Sequence, residues 1–486
     1  MKTNRLIVGA LMCIALMPGC SKNFEEINKS LDQVQEPTLD FLLPNIQLTL
    51  LDNAYYTSVT IISQVMYQIS NSGTNFSTLT IGSNKDYHFE YQYATAVKNL
   101  VDFIYRTEES EELVNYNSIG RILKAYTFHS LTDVYGDVPY FNAGKGFIDN
   151  VFQPEYDDQK LIYEDMFNEL KDAAAKFNPD AKMPAATDII YRGDVSKWKK
   201  MAHSLMLRLA LRISKADPQN AAKWINEAIS GGMYESNDDN FTVFYKPNTY
   251  YATISNGQPT PFIYYTSWKL AAPFVDYLKN NDDPRIYIYS VLPNGDSSIS
   301  NQLGLPPFTR DELPKPLTEY SVSPASTFGK YDAPFIHQSY SEVQLMLAEI
   351  AMRELVPEIK KSDAAAYYEN GVTAAMKQLA IYGGDYAISD AAIDTYLSEH
   401  PLNTTDLESA LERINTEYWI ETHYNFYETY SNWRRSGYPK FDESEYVIPR
   451  RLPYPTKETN INGENVKKAI ERQGDDLITT RVWWDK

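Results

Sequence analysis

Six histidines, His88, His129, His203, His337, His400 and His423, are the side chains of this chain best suited to bind a metal or to move a proton near neutral pH. None stands in an H-E-x-x-H arrangement, and no C-x-x-C, G-x-S-x-G or G-x-x-x-x-G-K-[ST] segment occurs. His129 and His203 fall inside predicted helices and read as core histidines. Of the 64 acidic residues, no two are singled out as the carboxylate pair that glycoside hydrolysis requires. Glu421 and Glu428, seven apart on one predicted helix face, read as solvated or salt-bridged. The expectation is no catalytic residue, no metal and no cofactor.

The reactive side chain that remains is a thiol. There are two cysteines, and both lie near the start. Lys2 and Arg5 form a positive head, and Leu6 to Met17 is an apolar run ending at Pro18-Gly19. At twelve residues it is too short to span a bilayer, which takes about 20. It has the form of a secretory signal, so residues 1–19 are read as a signal peptide. The Gly19-Cys20 step resembles the lipobox of bacterial lipoproteins, with Met17 and Pro18 where Leu and Ser or Ala are usual. That resemblance implies lipidation of Cys20 with acyl chains such as palmitate, two or more of which anchor stably. Cys13 leaves with the signal, so the mature chain has no disulfide and depends on its core. Ser21 to Glu26 forms an acidic tether similar to the signal that sends lipoproteins to the outer face of the outer membrane.

Removing Lys2 and Arg5 with the signal takes the net charge from −19 to −19 − 2 = −21. Nucleic acid is thereby excluded as a partner, since its binding needs a basic footprint. Tyrosine, at 38 residues, outnumbers phenylalanine (20) and tryptophan (7) together. A flat apolar face with a hydroxyl suits sugars and peptides, although most of these rings are expected to complete helix packing.

The elements that must position any site are helical. Helices are predicted over 40–70, 89–106, 115–134, 161–177, 198–214, 219–230, 341–355, 364–382 and 407–433. The stretch from Trp198 to Ser214 is apolar nearly all round and should sit centrally, with Trp198 and Leu205 in the core. Asp217-Pro218 ends one helix and opens the next. Glu349 and Arg353 pair at i,i+4. Between 241 and 340 the character changes: 12 of the 26 prolines fall here, and only Pro273 to Asn280 keeps a helical period. Prolines deny donors to helices and central strands, yet the many aromatics argue against disorder. The length suggests about three domains, but no linker separates them. The reading is an all-α scaffold of helix pairs carrying a loop-rich 241–340 region, without a visible tetratricopeptide signature.

Several short motifs follow in order: Thr132-Asp133-Val134-Tyr135-Gly136-Asp137; Tyr191-Arg192-Gly193-Asp194; Leu205 to Arg212; Asp282-Asp283-Pro284-Arg285; Tyr340-Ser341-Glu342-Val343 with Leu347-Ala348-Glu349; Asn432-Trp433-Arg434-Arg435-Ser436-Gly437-Tyr438-Pro439; and Ile448 to Pro455. Together with the lipobox they resemble the SusD/RagB family of outer-membrane nutrient-binding lipoproteins, in its SusD-like branch. The resemblance implies an all-α fold of four tetratricopeptide-like helix pairs, with residues 20–486 as one SusD-like domain whose loop-rich second half carries the ligand site. It also implies a SusC-like TonB-dependent transporter as partner, with the lipoprotein as a lid that delivers oligosaccharide, or peptide as in RagB-like relatives. A lipid-anchored glycoside hydrolase is the reading from a different class. From the residues themselves, Asp133, Asp137 and Asp194 read as caps or turn formers, and Arg434 and Arg435 as partners of acids and carbonyls.

Sugars stack their C–H faces on aromatic rings while amides and carboxylates fix the hydroxyls. Loops held by a rigid scaffold supply that exposure. Two loops fit, Asn71 to Tyr87 and Tyr245 to Trp268. The expected contacts are Asn75, Asn84, Tyr87, Tyr250, Tyr251, Tyr264, Tyr265 and Trp268, with one member of each tyrosine pair facing outward.

Overall fold

The computed structural model describes residues 38–50, 56–73, 83–246, 255–308, 313–443 and 447–486; Cys20, Asn75, Tyr250 and Tyr251 lie outside them. The described chain is all-α with two short ribbons. Helix α1 (Leu39–Thr49) leads to a π-turn (Ser58–Ile62) and then strand β1 (Ile69–Asn71). Helices α2 (Tyr87–Gln92) and α3 (Lys98–Tyr105) are joined by a second π-turn, Tyr93–Val97. Four longer helices follow: α4 (Val114–Tyr135), α5 (Gln159–Lys176), α6 (Val195–Arg212) and α7 (Pro218–Gly231). Strand β2 (Phe241–Val243), helix α8 (Thr260–Tyr264), strand β3 (Trp268–Leu270), helices α9 (Ala272–Asn280) and α10 (Ile286–Tyr289) and strand β4 (Phe335–Gln338) occupy the proline-rich stretch. The C-terminal half continues with α11 (Tyr340–Arg353), α12 (Ala364–Lys377), α13 (Asp390–Glu399), α14 (Leu407–Glu421), α15 (Phe426–Ser436), α16 (Thr456–Ile461) and α17 (Gly463–Gln473).

Helix starts are set by short acidic side chains. Asp158, Asp194 and Asp217 each accept a hydrogen bond from a first-turn amide of α5, α6 and α7, and Pro218 takes the first position of α7. Helices α4 and α5, α6 and α7, α11 and α12, and α14 and α15 pack as pairs, and α6 also lies on α5 and α11. Helix α6 is the centre: Trp198 and Leu205 are fully buried.

Two predicted helices are not continuous. The 40–70 stretch reads as one apolar run, but α1 ends at Thr49 and its far end, from Ile69, forms β1. The 407–433 stretch breaks between α14 and α15, where Tyr424 adopts φ 75°. The break is held because Asn425 donates to the His337 carbonyl at 3.1 Å and the Tyr424 ring stacks on Phe328 at 5.0 Å. Tertiary contacts here override a favourable helical sequence.

The recurrent charged motifs meet inside this scaffold. Arg208 donates to Glu342 (2.5 Å) and to the His337 carbonyl (2.9 Å). Arg212 donates to Glu428 at 2.6 Å and lies 3.3 Å from Asp133. Arg285 bridges Asp283 (2.6 Å) and Glu417 (2.7 Å), and Arg435 and Arg353 share Glu349. Every acid and arginine of these pairs is buried apart from half-buried Arg353. A buried pair adds little net stability, but removing one partner strands a charge at a cost of about 3–5 kcal/mol. Two readings change accordingly, those of Asp133 and Glu421. Asp133 is an internal ion-pair partner that also accepts from Trp484 Nε1 at 2.9 Å, whereas Asp194 does cap a helix and Asp137 accepts from the Gln159 amide at 2.9 Å. Glu428 is salt-bridged, as expected, but inside the core. Glu421 is buried too, accepting from Ser339 (2.6 Å) and Gln378 (3.0 Å), so it is neither solvated nor salt-bridged.

Candidate functional site: the ribbon where two loops meet

The first half's polar loop and the second half's aromatic loop begin or end on the same two-stranded ribbon. β1 pairs antiparallel with β3, with Ile69 opposite Leu270, Ser70 opposite Lys269 and Asn71 opposite Trp268. The ribbon is fixed from below: Trp419 Nε1 of α14 donates to the Met66 carbonyl at 2.8 Å, and Gln68 returns a bond to the Trp419 carbonyl. On its other edge, Leu270 donates to Ser321 (2.9 Å) and accepts from Leu305 (2.8 Å). Beyond the last pair the two chains stay together. The Ser72 amide donates to the Ser267 carbonyl at 3.1 Å, Asn71 Nδ2 donates to Ser267 Oγ at 3.2 Å, and Asn71 Oδ1 turns the chain by accepting from the Gly73 amide at 2.8 Å.

A second seam lies nearby in sequence. Ser58 of the π-turn donates to Gln258 at 2.6 Å, between two buried residues. The same turn holds the end of the polar loop: Thr57 Oγ1 donates to the Asn84 carbonyl at 2.6 Å, and Asn84 Nδ2 donates to Thr60 Oγ1 at 3.1 Å. Asn84 is therefore half-buried with its amide nitrogen engaged. Tyr87, first residue of α2, is half-buried and belongs to a group of three rings, stacked on Tyr91 at 5.7 Å and tilted against Tyr56 at 5.0 Å.

Of the aromatic loop, Tyr264 (58 % exposed) and Tyr265 (51 %) both stand at the surface, next to the partly exposed Ile263. The expectation that one would face inward fails because Tyr264 closes a single helical turn and Tyr265 is the extended residue after it, so strand alternation does not apply. Trp268 is buried on β3. Its ring supports the ribbon and does not stand at the surface.

Three residues escaped the sequence reading. Tyr91 is four positions after Tyr87, the spacing at which side chains meet on a helix, so it could have been found. Tyr56 joins the cluster only through the fold. Lys269 is buried beside Trp268, no described carboxylate pairs with it, and burial lowers its ammonium pKa. Internal cavities of about 30 Å³ beside Glu421, His423 and Tyr424 and about 20 Å³ beside His88 and Arg208 have room for a water or so, not for a sugar ring. What the ribbon offers is a firm base with the exposed rings of Tyr264 and Tyr265 beside it, the means to stack a sugar ring.

A family model described as "Starch-binding associating with outer membrane" matches residues 31–455. The chain belongs to the SusD-like family. Among solved structures, this SusD-like chain is similar to a chitin-binding protein at 32 % identity, with a TM-score of 0.81, covering 92 % of this chain and all of that one. A structure described as Bacteroidetes AC2a SusD-like matches at 24 % identity and TM-score 0.82, over 93 % of this chain and 100 % of that one. A SusD homolog from Bacteroides uniformis matches at 24 % identity and TM-score 0.76, over 92 % and 99 %. These last two share the fold. No curated protein sequence matches.

Proposed function

We propose that this SusD-like protein is a lipid-anchored, cell-surface binding protein that captures an oligosaccharide at the β1–β3 ribbon and delivers it to a SusC-like TonB-dependent outer-membrane transporter. The observation that carries the reading is the meeting of the two aromatic- and amide-bearing loops on one ribbon, with Tyr264 and Tyr265 exposed beside it. The proposed contacts are Asn75, Asn84, Tyr87, Tyr250, Tyr251, Tyr264 and Tyr265, with Trp268 as the support beneath. The role is binding without catalysis. A chitin-type oligomer is the first ligand to test, because the relative that shares 32 % identity carries chitin binding in its name.

Calorimetric titration of the mature protein with a chitin hexasaccharide, within a wider glycan panel, tests this. Tyr264→Ala and Tyr265→Ala should each lose about 1–3 kcal/mol of binding, the range for stacking on an aromatic ring, without loss of folding. Unchanged affinity in both variants would place the site elsewhere. Released reducing ends in the same incubation would mean an enzyme.

A further inference from the structure

A surface concavity lies apart from the ribbon and shares none of its residues. It is a cleft of about 430 Å³ between α3, α4, α5 and the loop at 140–149. Val101, Ile104 and Tyr105 of α3 form one wall. Lys124 of α4 and Glu169 of α5 contribute to the floor. The opposite wall is the loop, and it is held firmly. Asp157 accepts from the Tyr140 and Phe141 amides at 2.8 and 2.9 Å, and the Tyr140 hydroxyl donates to Asp165 at 2.7 Å. Gly144, at φ +72°, lies so close to α3 that a Cβ there would meet Val101 at 3.0 Å. A glycine is required for the loop to approach the helix and shape the cleft.

Two aromatic rings are presented from different walls, Tyr105 (54 % exposed) and Phe141 (40 %). Lys124 sits 4.4 Å from the centroid of the Tyr140 ring and 4.0 Å from Asp165, so its ammonium is held in place. Lys145 and Asp149 stand near each other on the loop at 3.9 Å. The volume is within the range of small-ligand sites. Protein-binding interface cores are depleted in Lys, Glu and Asp, whereas this lining mixes Glu108, Lys124, Lys145, Asp149 and Glu169 with the rings. Charged donors and acceptors around paired aromatic faces suit a ligand that is flat and apolar on one side and rich in hydroxyls at its edge.

We infer that this cleft is a second glycan-binding site, taking a short run of pyranose rings stacked on Tyr105 and Phe141. A chain with two such sites holds a polymer more tightly than either alone, because the second contact forms at high effective concentration. The site stands whether or not the ribbon binds sugar.

Titrating the mature protein with hexasaccharides of β-1,4-linked N-acetylglucosamine, β-1,4-linked glucose and α-1,4-linked glucose tests it. At least one should bind at two sites per chain. The double variant Tyr105→Ala with Phe141→Ala should remove one of them, weakening it at least tenfold while its circular dichroism is unchanged, and Tyr105→Phe should retain it. Tyr264→Ala with Tyr265→Ala should remove the other. Loss in the cleft variant with none in the ribbon variant would sink the ribbon reading and leave this one standing. Wild-type stoichiometry and affinity in the cleft variant, a single site that only the ribbon variant removes, or no binding of any of the three sugars at millimolar concentration would each overturn it.

Discussion

His88, His129 and His423 are buried, and burial lowers the pKa of each from 6.5 to about 3; His337 is lowered too. Between about pH 6.5 and 3 the unfolded chain binds protons at these rings and the native chain does not. Stability therefore rises with pH across that window and falls on acidification, by up to about 1.4 kcal/mol per pH unit for each ring. Buried Glu342 and Glu421, with raised carboxyl pKa values, act in the opposite sense, since the native state binds their protons more readily. Asp133, Asp137, Asp157, Asp276, Asp283 and Glu458 are raised as well, so the rings' share is read as a difference between two proteins. From pH 6.5 to pH 4 the urea unfolding midpoint of His88→Gln should lose less, or gain more, than that of the wild type. Parallel pH profiles in the two proteins would contradict the account. At this scale the sequence was a fair guide where a residue type has one common fate: His129 and His203 are core, as their helical positions suggested. It was a poor guide for acids, because burial beside an arginine depends on what the fold brings near. Nothing local to Glu428 announces Arg212, 216 positions away.

At the scale of elements, close packing decides more than propensity. Gly371 lies within α12, and a Cβ there would come 2.8 Å from Leu345 Cγ of α11. Alanine favours a helix over glycine by about 1 kcal/mol, but overpacking costs about 1–3 kcal/mol. Gly371→Ala should therefore lower the melting temperature in spite of the better helix former, and a rise would show that the pair can spread at no cost. Helices with an acidic cap or a proline at the first turn, such as α6 and α7, were readable to within a few residues. The ribbon was not. β1 and β3 are three residues each, and their partners are about two hundred positions apart, so neither carries a period that a window could detect. The bend at Tyr424 was hidden for a related reason: no glycine or proline marks it, and its cause is packing on Phe328. Hence both loops of the candidate site could be named from composition, while their meeting, and the burial of Trp268 there, could not.

For the whole molecule the question is what keeps it at a membrane. No described helix is long and apolar enough to span one, and the acidic mature charge does not favour an anionic surface. The anchor we propose is lipid on the Cys20 thiol. Cys20→Ala should appear in the soluble fraction, or remain unprocessed, when membranes are washed at high salt; full retention of a processed mutant would refute the lipid anchor.

The tie between Asp133 and Trp484 spans 351 positions of chain, and Arg450 closes on Asp485 beside it. A polypeptide is made from its N-terminus at about 5–20 residues per second, so α4 exists for roughly 20–70 s before the indole that completes its buried carboxylate is made. Until then Asp133 has Tyr163 and Arg212 within reach but not the indole. The last residues to be made are therefore part of the core of the first helical half, and a chain cut short before Trp484 should be less stable than one that includes it.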